Sequence, residues 1–291
     1  MTQNPILAVI GGSGLYNMPG LINVQEHSLT TPFGQPSAPI LVGELEGKRV
    51  AFLARHGFGH QIMPSEINYR ANIYALKSLG VERIVSISAC GSLREDYAPG
   101  DLVVPDQIFD LTRDRSRTFF GQGLVAHIGV ADPFCADFSG QVYQATRLTG
   151  ATVHRGGTFL IVEGPRFSTR AESFTYRTWG MSIIGMTSSP EVFLAREAEL
   201  CYAVMAHVTD YDVWHMEEEP VSVEAVIQVL RQNTETAKKA ITNLAREVSR
   251  QRTCPCPNAL STALITQPEA IPLETRQKLD LLVGKYLPGG K

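Results

Sequence analysis

Seven apolar segments of strand length punctuate the chain, at residues 6–10, 50–54, 83–89, 102–105, 158–162, 182–186 and 202–209. Several are unbroken apolar runs, the pattern of strands buried on both faces. Helical patterns lie between many of them. Residues 65–79 carry Ile67, Ala71, Ala75, Leu76 and Leu79 at helical spacing, and Gly80 supplies a C-terminal stop. Thr169 and Glu172 fit a capping box, and Gly180 ends that helix. Ser189-Pro190-Glu191 reads as N-cap, first-position proline and first-turn acid. A long amphipathic helix is predicted from about Ser222, its stripe made by Val223, Val226, Ile227, Leu230, Ala237, Ile241, Leu244 and Val248. Strands alternating with helices predict a three-layer α/β fold, a mixed or mainly parallel central sheet flanked by helices. No linker or internal repeat divides the chain. Residues 1–291 are therefore read as one domain, with a core at about 5–250 and a tail from 253 that holds helical patterns at 258–265 and 273–283.

Composition narrows the function classes. With 44% hydrophobic and 19% charged residues the chain has the balance of a soluble globular protein. A net charge of −3 speaks against a general nucleic-acid binder, whose affinity rests on many phosphate contacts. No apolar run is long enough to cross a bilayer, and no basic stretch precedes the first apolar segment as in a signal peptide, so the expectation is a cytoplasmic protein. The five cysteines are an odd, sparse set, expected to be mostly reduced.

Open α/β sheets place ligands beyond the carboxyl ends of their strands. Polar or glycine-rich sequence follows nearly every strand here. Gly11-Gly12-Ser13-Gly14 suits an anion cradle, in which backbone N–H groups and a serine hydroxyl hold phosphate oxygens, although an ordinary tight turn would read the same. It is neither a Walker loop nor a dinucleotide fingerprint, because no Gly-Lys-Ser/Thr follows and Asn17 stands where a third glycine is needed. Arg55-His56-Gly57 offers a fork of donors for phosphate. His56 and His60 are four apart, but Gly57 and Gly59 break the helix that would pair them on a metal, and no metal site is expected. Asp210 and Asp212 fall on one side of an extended chain, where paired acids can accept from an amine or share a proton for general acid work. Two solvated turn aspartates are the plainer alternative, and Trp214 beyond them could be core. The run Glu217-Glu218-Glu219 reads as a solvated loop.

The order of these blocks is more telling than any one of them. Ile10-Gly11-Gly12-Ser13-Gly14-Leu15, Ala54-Arg55-His56-Gly57, Pro64-Ser65-Glu66-Ile67-Asn68-Tyr69-Arg70-Ala71-Asn72, Ala89-Cys90-Gly91-Ser92-Leu93, Glu163-Gly164-Pro165-Arg166-Phe167 and Thr209-Asp210-Tyr211-Asp212 occur in one chain. Over about residues 5–250 this resembles the trimeric purine nucleoside phosphorylase family, and within it the members that act on S-methyl-5'-thioadenosine. The resemblance implies phosphorolysis of that nucleoside to adenine and 5-methylthioribose 1-phosphate, with inorganic phosphate as cosubstrate and no cofactor. It puts phosphate on Ser13, Arg55, His56, Ser88, the Ala89 N–H and Thr187. It sets the ribose against Met186 and the purine against Phe167. Asp210 and Asp212 then address purine N7 and N6, with Asp210 as the catalytic acid. Val223, Val226 and Ile227 are implied to enclose the methylthio group, and His127 to reach into a neighbouring subunit's site. A homotrimer is implied, or a hexamer built as a dimer of trimers.

Two departures stand out. Gly185 replaces an Asn of some relatives. Cys254-Pro255-Cys256 resembles the C-terminal Cys-x-Cys of a thermophilic branch with broader nucleoside acceptance, and is either a redox pair or two incidental loop cysteines. Three rival functions remain at this level. One is phosphorolysis of S-methyl-5'-thioinosine or of purine nucleosides generally. The second is a non-catalytic nucleoside sensor, which would have no need of a phosphate pocket beside a proton donor. The third is a nucleotide-dependent oxidoreductase, which rests on the glycines alone.

Overall fold

The computed structural model describes residues 4–215 and 223–288, with the side chains of residue 13 and residues 223–232 outside that description. The strands are β1 (Leu7–Gly11), β2 (Ile22–His27), β3 (Ile40–Leu45), β4 (Lys48–Ala54), β5 (Arg83–Ser92), β6 (Leu102–Val104), β7 (Gln107–Asp110), β8 (Val153–Arg155), β9 (Thr158–Ile161), β10 (Ile183–Gly185) and β11 (Cys201–Asp210). The helices are α1 (Tyr69–Ser78), α2 (Ala136–Arg147), α3 (Arg170–Thr178), α4 (Ser188–Glu197), α5 (Val223–Glu247) and α6 (Leu273–Val283). All described strands join one mixed sheet, ordered β2-β3-β4-β1-β5-β10-β9-β7, with β11 on β5 and β6, and β8 on β6.

The unbroken apolar runs are buried on both faces, as expected. Along β1, Ala8 and Ile10 enter one core with Ile73 and Leu76 of α1 and Leu194 and Ala195 of α4. Leu7 and Val9 enter a second core with Phe138 and Val142 of α2 and Ala237, Ile241 and Leu244 of α5. Strand β11 divides the same way: Tyr202, Val204, Ala206 and Val208 face the first core, and Cys201, Ala203 and Met205 the second. The period of two in an extended chain thus feeds two helical layers from one sheet.

Several boundaries differ from the sequence reading. Helix α1 begins at Tyr69 rather than 65, because the Asn68 side chain accepts from the Ala71 N–H at 3.1 Å and caps it there. The capping box at Thr169 and Glu172 forms with both of its bonds. Strand β5 runs on past residue 89 through Cys90-Gly91-Ser92, because its last residues pair with β10 (Ile184 with Gly91, Ile183 with Ser92). The tail segment 258–265 is not a helix. After a short 3-10 turn at Cys256–Asn258 it straps onto the segment near residue 126, with the Ile265 N–H on the Val125 carbonyl and the His127 N–H on the Ala263 carbonyl. Strands β2, β3, β7 and β8 and helix α2 were not foreseen. Strand β2 is nearly all exposed and exists through pairing with β3, so no apolar pattern announces it.

Candidate active site

Strands β1, β4, β5 and β11 run parallel, so their carboxyl ends open on the same side. A cavity of about 780 Å³ lies there. It falls within the range of small-molecule sites. Arg55, His56, Ser88, Ala89, Phe167, Met186, Thr187, Asp210 and Asp212 all line it. Gly12 and Gly14 line it on either side of Ser13. The side chains of Ser13, Val223, Val226 and Ile227 lie outside the described residues, although α5 carries Thr234 to the cavity wall. His127 is exposed and lies outside the cavity of its own chain.

The anion end is built around a buried ion pair. Arg55 donates through Nε and Nη2 to the two carboxylate oxygens of Glu191, each at 2.9 Å, and Nη2 also reaches Ser86 Oγ at 2.5 Å. Its Nη1 reaches the Ile87 carbonyl at 3.2 Å. Of the five N–H groups of a guanidinium, these bonds leave one on Nη1 for a ligand at the cavity wall. Burial alone would lower the affinity of Arg55 for its proton, but the charge and hydrogen bonds of Glu191 outweigh it and hold the group cationic. Glu191 was read from the sequence as a first-turn helix acid. It sits in α4 and also accepts from the Tyr202 hydroxyl at 2.7 Å.

His56 has a defined tautomer. Its Nδ1 lies 2.8 Å from the Ile62 carbonyl, which can only accept, so the proton is on Nδ1 and Nε2 is an acceptor. Burial, then the Arg55 charge, push its pKa down to about 4, so the ring is neutral at physiological pH. His60 stacks on it at 4.1 Å between centroids.

The carboxyl end is made by a bulge. Register along β11 and β5 slips between Val208 and Asp210, so that Thr209 is the extra residue and Asp210 faces Gly91. Such a bulge bends its strand and re-aims the side chain that follows. Asp210 Oδ2 accepts from the Thr209 hydroxyl at 2.6 Å and Oδ1 from the Asp212 N–H at 2.8 Å. Burial raises the Asp210 carboxyl to about 6, and the nearby Asp212 charge adds to the effect. Burial also raises Asp212, whose backbone adopts a left-handed φ of 52°. Its Oδ2 is buried without a hydrogen-bond partner among the described residues. An acceptor in that state suits a ligand that brings an N–H. Trp214 is core, as the plainer reading had it, with its Nε1 donating to the Ser92 carbonyl at 2.7 Å.

Arg115 was missed entirely, because nothing in its local sequence sets it apart. Its Nη1 donates to the Met186 and Ser189 carbonyls at 2.6 Å each, and its Nη2 to the Glu163 carbonyl at 2.8 Å. Its Nε pairs with the Glu163 carboxylate at 2.9 Å. One side chain thus ties its own segment to those of Glu163 and Met186–Ser189, beside the cavity wall at Met186. Gly164 has φ +70° and approaches Met186 so closely that an added Cβ would stand 2.5 Å from its sulfur.

A parallel-strand crevice with a cationic end and a protonatable carboxyl end is the arrangement of a nucleoside phosphorylase. The phosphorylase superfamily matches residues 6–246, and the chain belongs to that family. Within it, the S-methyl-5'-thioadenosine phosphorylase of Geobacter sulfurreducens is 55% identical, covering 97% of this chain and 99% of the relative. That of Koribacter versatilis is 51% identical, covering 96% of each. Among solved structures, a methylthioadenosine phosphorylase from an antarctic soil metagenomic library superposes with a TM-score of 0.92 at 47% identity, covering 96% of this chain and 99% of that one. The Schistosoma mansoni enzyme in complex with adenine gives 0.80 at 40% identity, covering 83% and 91%.

Proposed function

We propose that this chain splits S-methyl-5'-thioadenosine with inorganic phosphate into adenine and 5-methylthioribose 1-phosphate. The single observation that carries the assignment of roles is the Asp210–Asp212 pair, Asp212 buried and Asp210 half-buried, lining the same cavity as Arg55. Identity of 51–55% to S-methyl-5'-thioadenosine phosphorylases over nearly the whole chain supports the substrate.

The reaction breaks the bond between C1' and purine N9 and forms one from C1' to a phosphate oxygen. Positive charge grows on the sugar and negative charge on the leaving base. Phosphate held by the Gly12–Gly14 turn, the free Nη1 N–H of Arg55, Ser88 and Thr187 stands against C1' and stabilises the first by position and field. His56 Nε2, an acceptor, takes the hydrogen bond of the phosphate's own O–H. Asp210 relieves the second charge by passing its proton to purine N7, a step typically worth 10²–10⁴-fold. A pKa of about 6 keeps a useful fraction of the acid protonated near neutral pH. Asp212 Oδ2 accepts from the 6-amino group, whereas a 6-oxo group would meet it acceptor to acceptor. Such a mismatch costs about 1–3 kcal/mol. Phe167, partly exposed at the cavity wall, covers the base, and Met186 the ribose. The chemistry runs on these side chains and phosphate without a cofactor.

In this reading His127 acts across a subunit boundary in a homotrimer, with a dimer of trimers as the larger form, and the enzyme works in the cytoplasm. Among the described residues no helix is long and apolar enough to cross a membrane.

The test is release of free base from S-methyl-5'-thioadenosine, S-methyl-5'-thioinosine, adenosine and inosine, with and without phosphate. Adenine released fastest from the methylthio compound, and only with phosphate, is the expected result. Faster hypoxanthine release would overturn the roles given to Asp210 and Asp212.

A further inference from the structure

Four of the five cysteines meet at the end of the sheet opposite the cavity. The Sγ atoms of Cys135, Cys201, Cys254 and Cys256 all lie within 4.8 Å of one another, and Cys201 and Cys254 are 3.3 Å apart. Three of the four are buried and Cys254 is partly so. Tetrahedral zinc with Zn–S bonds of about 2.3 Å spaces its sulfurs about 3.8 Å apart, so the cluster is already at the scale of such a site.

The backbone prepares this arrangement from three parts of the chain. Cys201 opens β11, and its neighbour Tyr202 accepts at its carbonyl from the Cys135 N–H at 2.9 Å. Cys135 is the N-cap residue of α2, where the helix dipole favours a thiolate, and its side chain makes no capping bond. Cys254 and Cys256 come from the tail. The tail is held beside the other two by Thr253 Oγ1 on Asp137 at 2.9 Å and by Arg252 on the Glu199 carbonyl at 3.0 Å. A cation faces the cluster: Arg196 Nη1 is 3.4 Å from Cys256 Sγ.

We propose that these four cysteines form a structural site for a soft or borderline divalent cation, zinc by preference, bound as a closed tetrathiolate. Arg196 and the α2 dipole offset the net negative charge of such a centre. Four protein ligands leave no open position, so the role is to hold the fold rather than to act on substrate. Asp210 ends the strand that Cys201 begins, about 30 Å away at about 3.3 Å per residue. What the ion holds is the tail. A few residues past Cys256 that tail pairs with the segment carrying His127, through the Ala126–Leu264 bridge and the Ala263 carbonyl. The sequence hides the site, because only Cys254 and Cys256 are close in the chain and no second Cys-x-Cys accompanies them. The redox alternative for that pair becomes testable against the same four sulfurs.

The experiment takes the full-length protein, purified without chelator, and measures bound metal per chain by mass spectrometry. One zinc per chain is expected. Exchange for cobalt should give the strong thiolate-to-cobalt charge-transfer absorption of a tetrahedral sulfur site. Unfolding in chelator without reductant should then expose all five thiols, Cys90 included. Cys254→Ser should lower zinc affinity by more than the roughly 10–100-fold typical of losing an outer-shell partner, with adenine release near wild type. Should that variant misfold, chelator extraction of the wild-type protein reads the same occupancy and the accompanying fall in melting temperature. Metal-free protein with reduced thiols after incubation with excess zinc would overturn the proposal. So would a single titratable thiol in unreduced protein, the mark of two disulfides. A cobalt form without the sulfur band would also overturn it.

Discussion

Gly91 is the position where a single carbon should test how the catalytic carboxyl is placed. A Cβ built on it would lie 2.9 Å from Asp210 Oδ1, 3.1 Å from Ile184 Cγ2 and 3.3 Å from the Asp212 Cβ. Ordinary contact begins near 3.4 Å, so Gly91→Ala must push Oδ1 away by about half an ångström. Ile184 and Asp212 close the other directions. A misplacement of about 1 Å can cost about 10²-fold in rate, so half of it should cost about tenfold. The loss should fall on kcat rather than on the KM for phosphate, because Arg55 and His56 are untouched. Overpacking of a strand residue adds about 1–3 kcal/mol of destabilisation, read separately as melting temperature. The discriminating assay is a double-mutant cycle with Asp210→Asn, following phosphate-dependent adenine release. Once the acid is gone there is no proton to misplace, so Gly91→Ala should then cost little more. If the two losses multiply in the double variant, displacement of Asp210 is not the mechanism and the reasoning fails.

Asp210→Asn alone should lower kcat by about 10²–10⁴-fold and shift preference toward 6-oxo purines. Adenosine-type turnover left undiminished would refute both. The wild-type acid, at about 6 against 3.8 for the model group, is protonated in the folded protein where the unfolded chain has released its proton. Stability therefore falls as pH rises from about 4 to about 6, by up to about 3 kcal/mol. The same Asn variant should melt higher than wild type at pH 8 and close to it at pH 4, while wild-type kcat/KM declines above about pH 6. Equal melting at pH 8 would count against the buried-acid account. Glu191→Gln leaves Arg55 buried without its counter-ion and should cost about 3–5 kcal/mol. Saturating phosphate should then raise the melting temperature of the variant more than that of wild type. Equal shifts would mean that phosphate does not reach Arg55.

The sequence by itself determined the layered α/β fold, because apolar runs without alternation have to be covered on both faces. It also determined where ligands collect, since polar and glycine-rich residues follow the strands β1, β4, β9 and β11. Nine of the site residues that the family resemblance implies line one cavity at that end of the sheet. What it left open depends on contacts between distant segments. The bulge at Thr209 arises from the register of β11 on β5, and it aims Asp210. The state of Asp210 and Asp212 depends on burial, which no local pattern reports. Glu191 becomes the partner of Arg55 only when α4 packs beside the end of β4, 136 residues away in the chain. Arg115 finds its partners at Glu163 and at Met186–Ser189, far from it in the chain. The four cysteines follow the same rule. A Cys-x-Cys in the tail is ambiguous as sequence, and only the folding of the tail against β11 and α2 brings four sulfurs within reach of one ion.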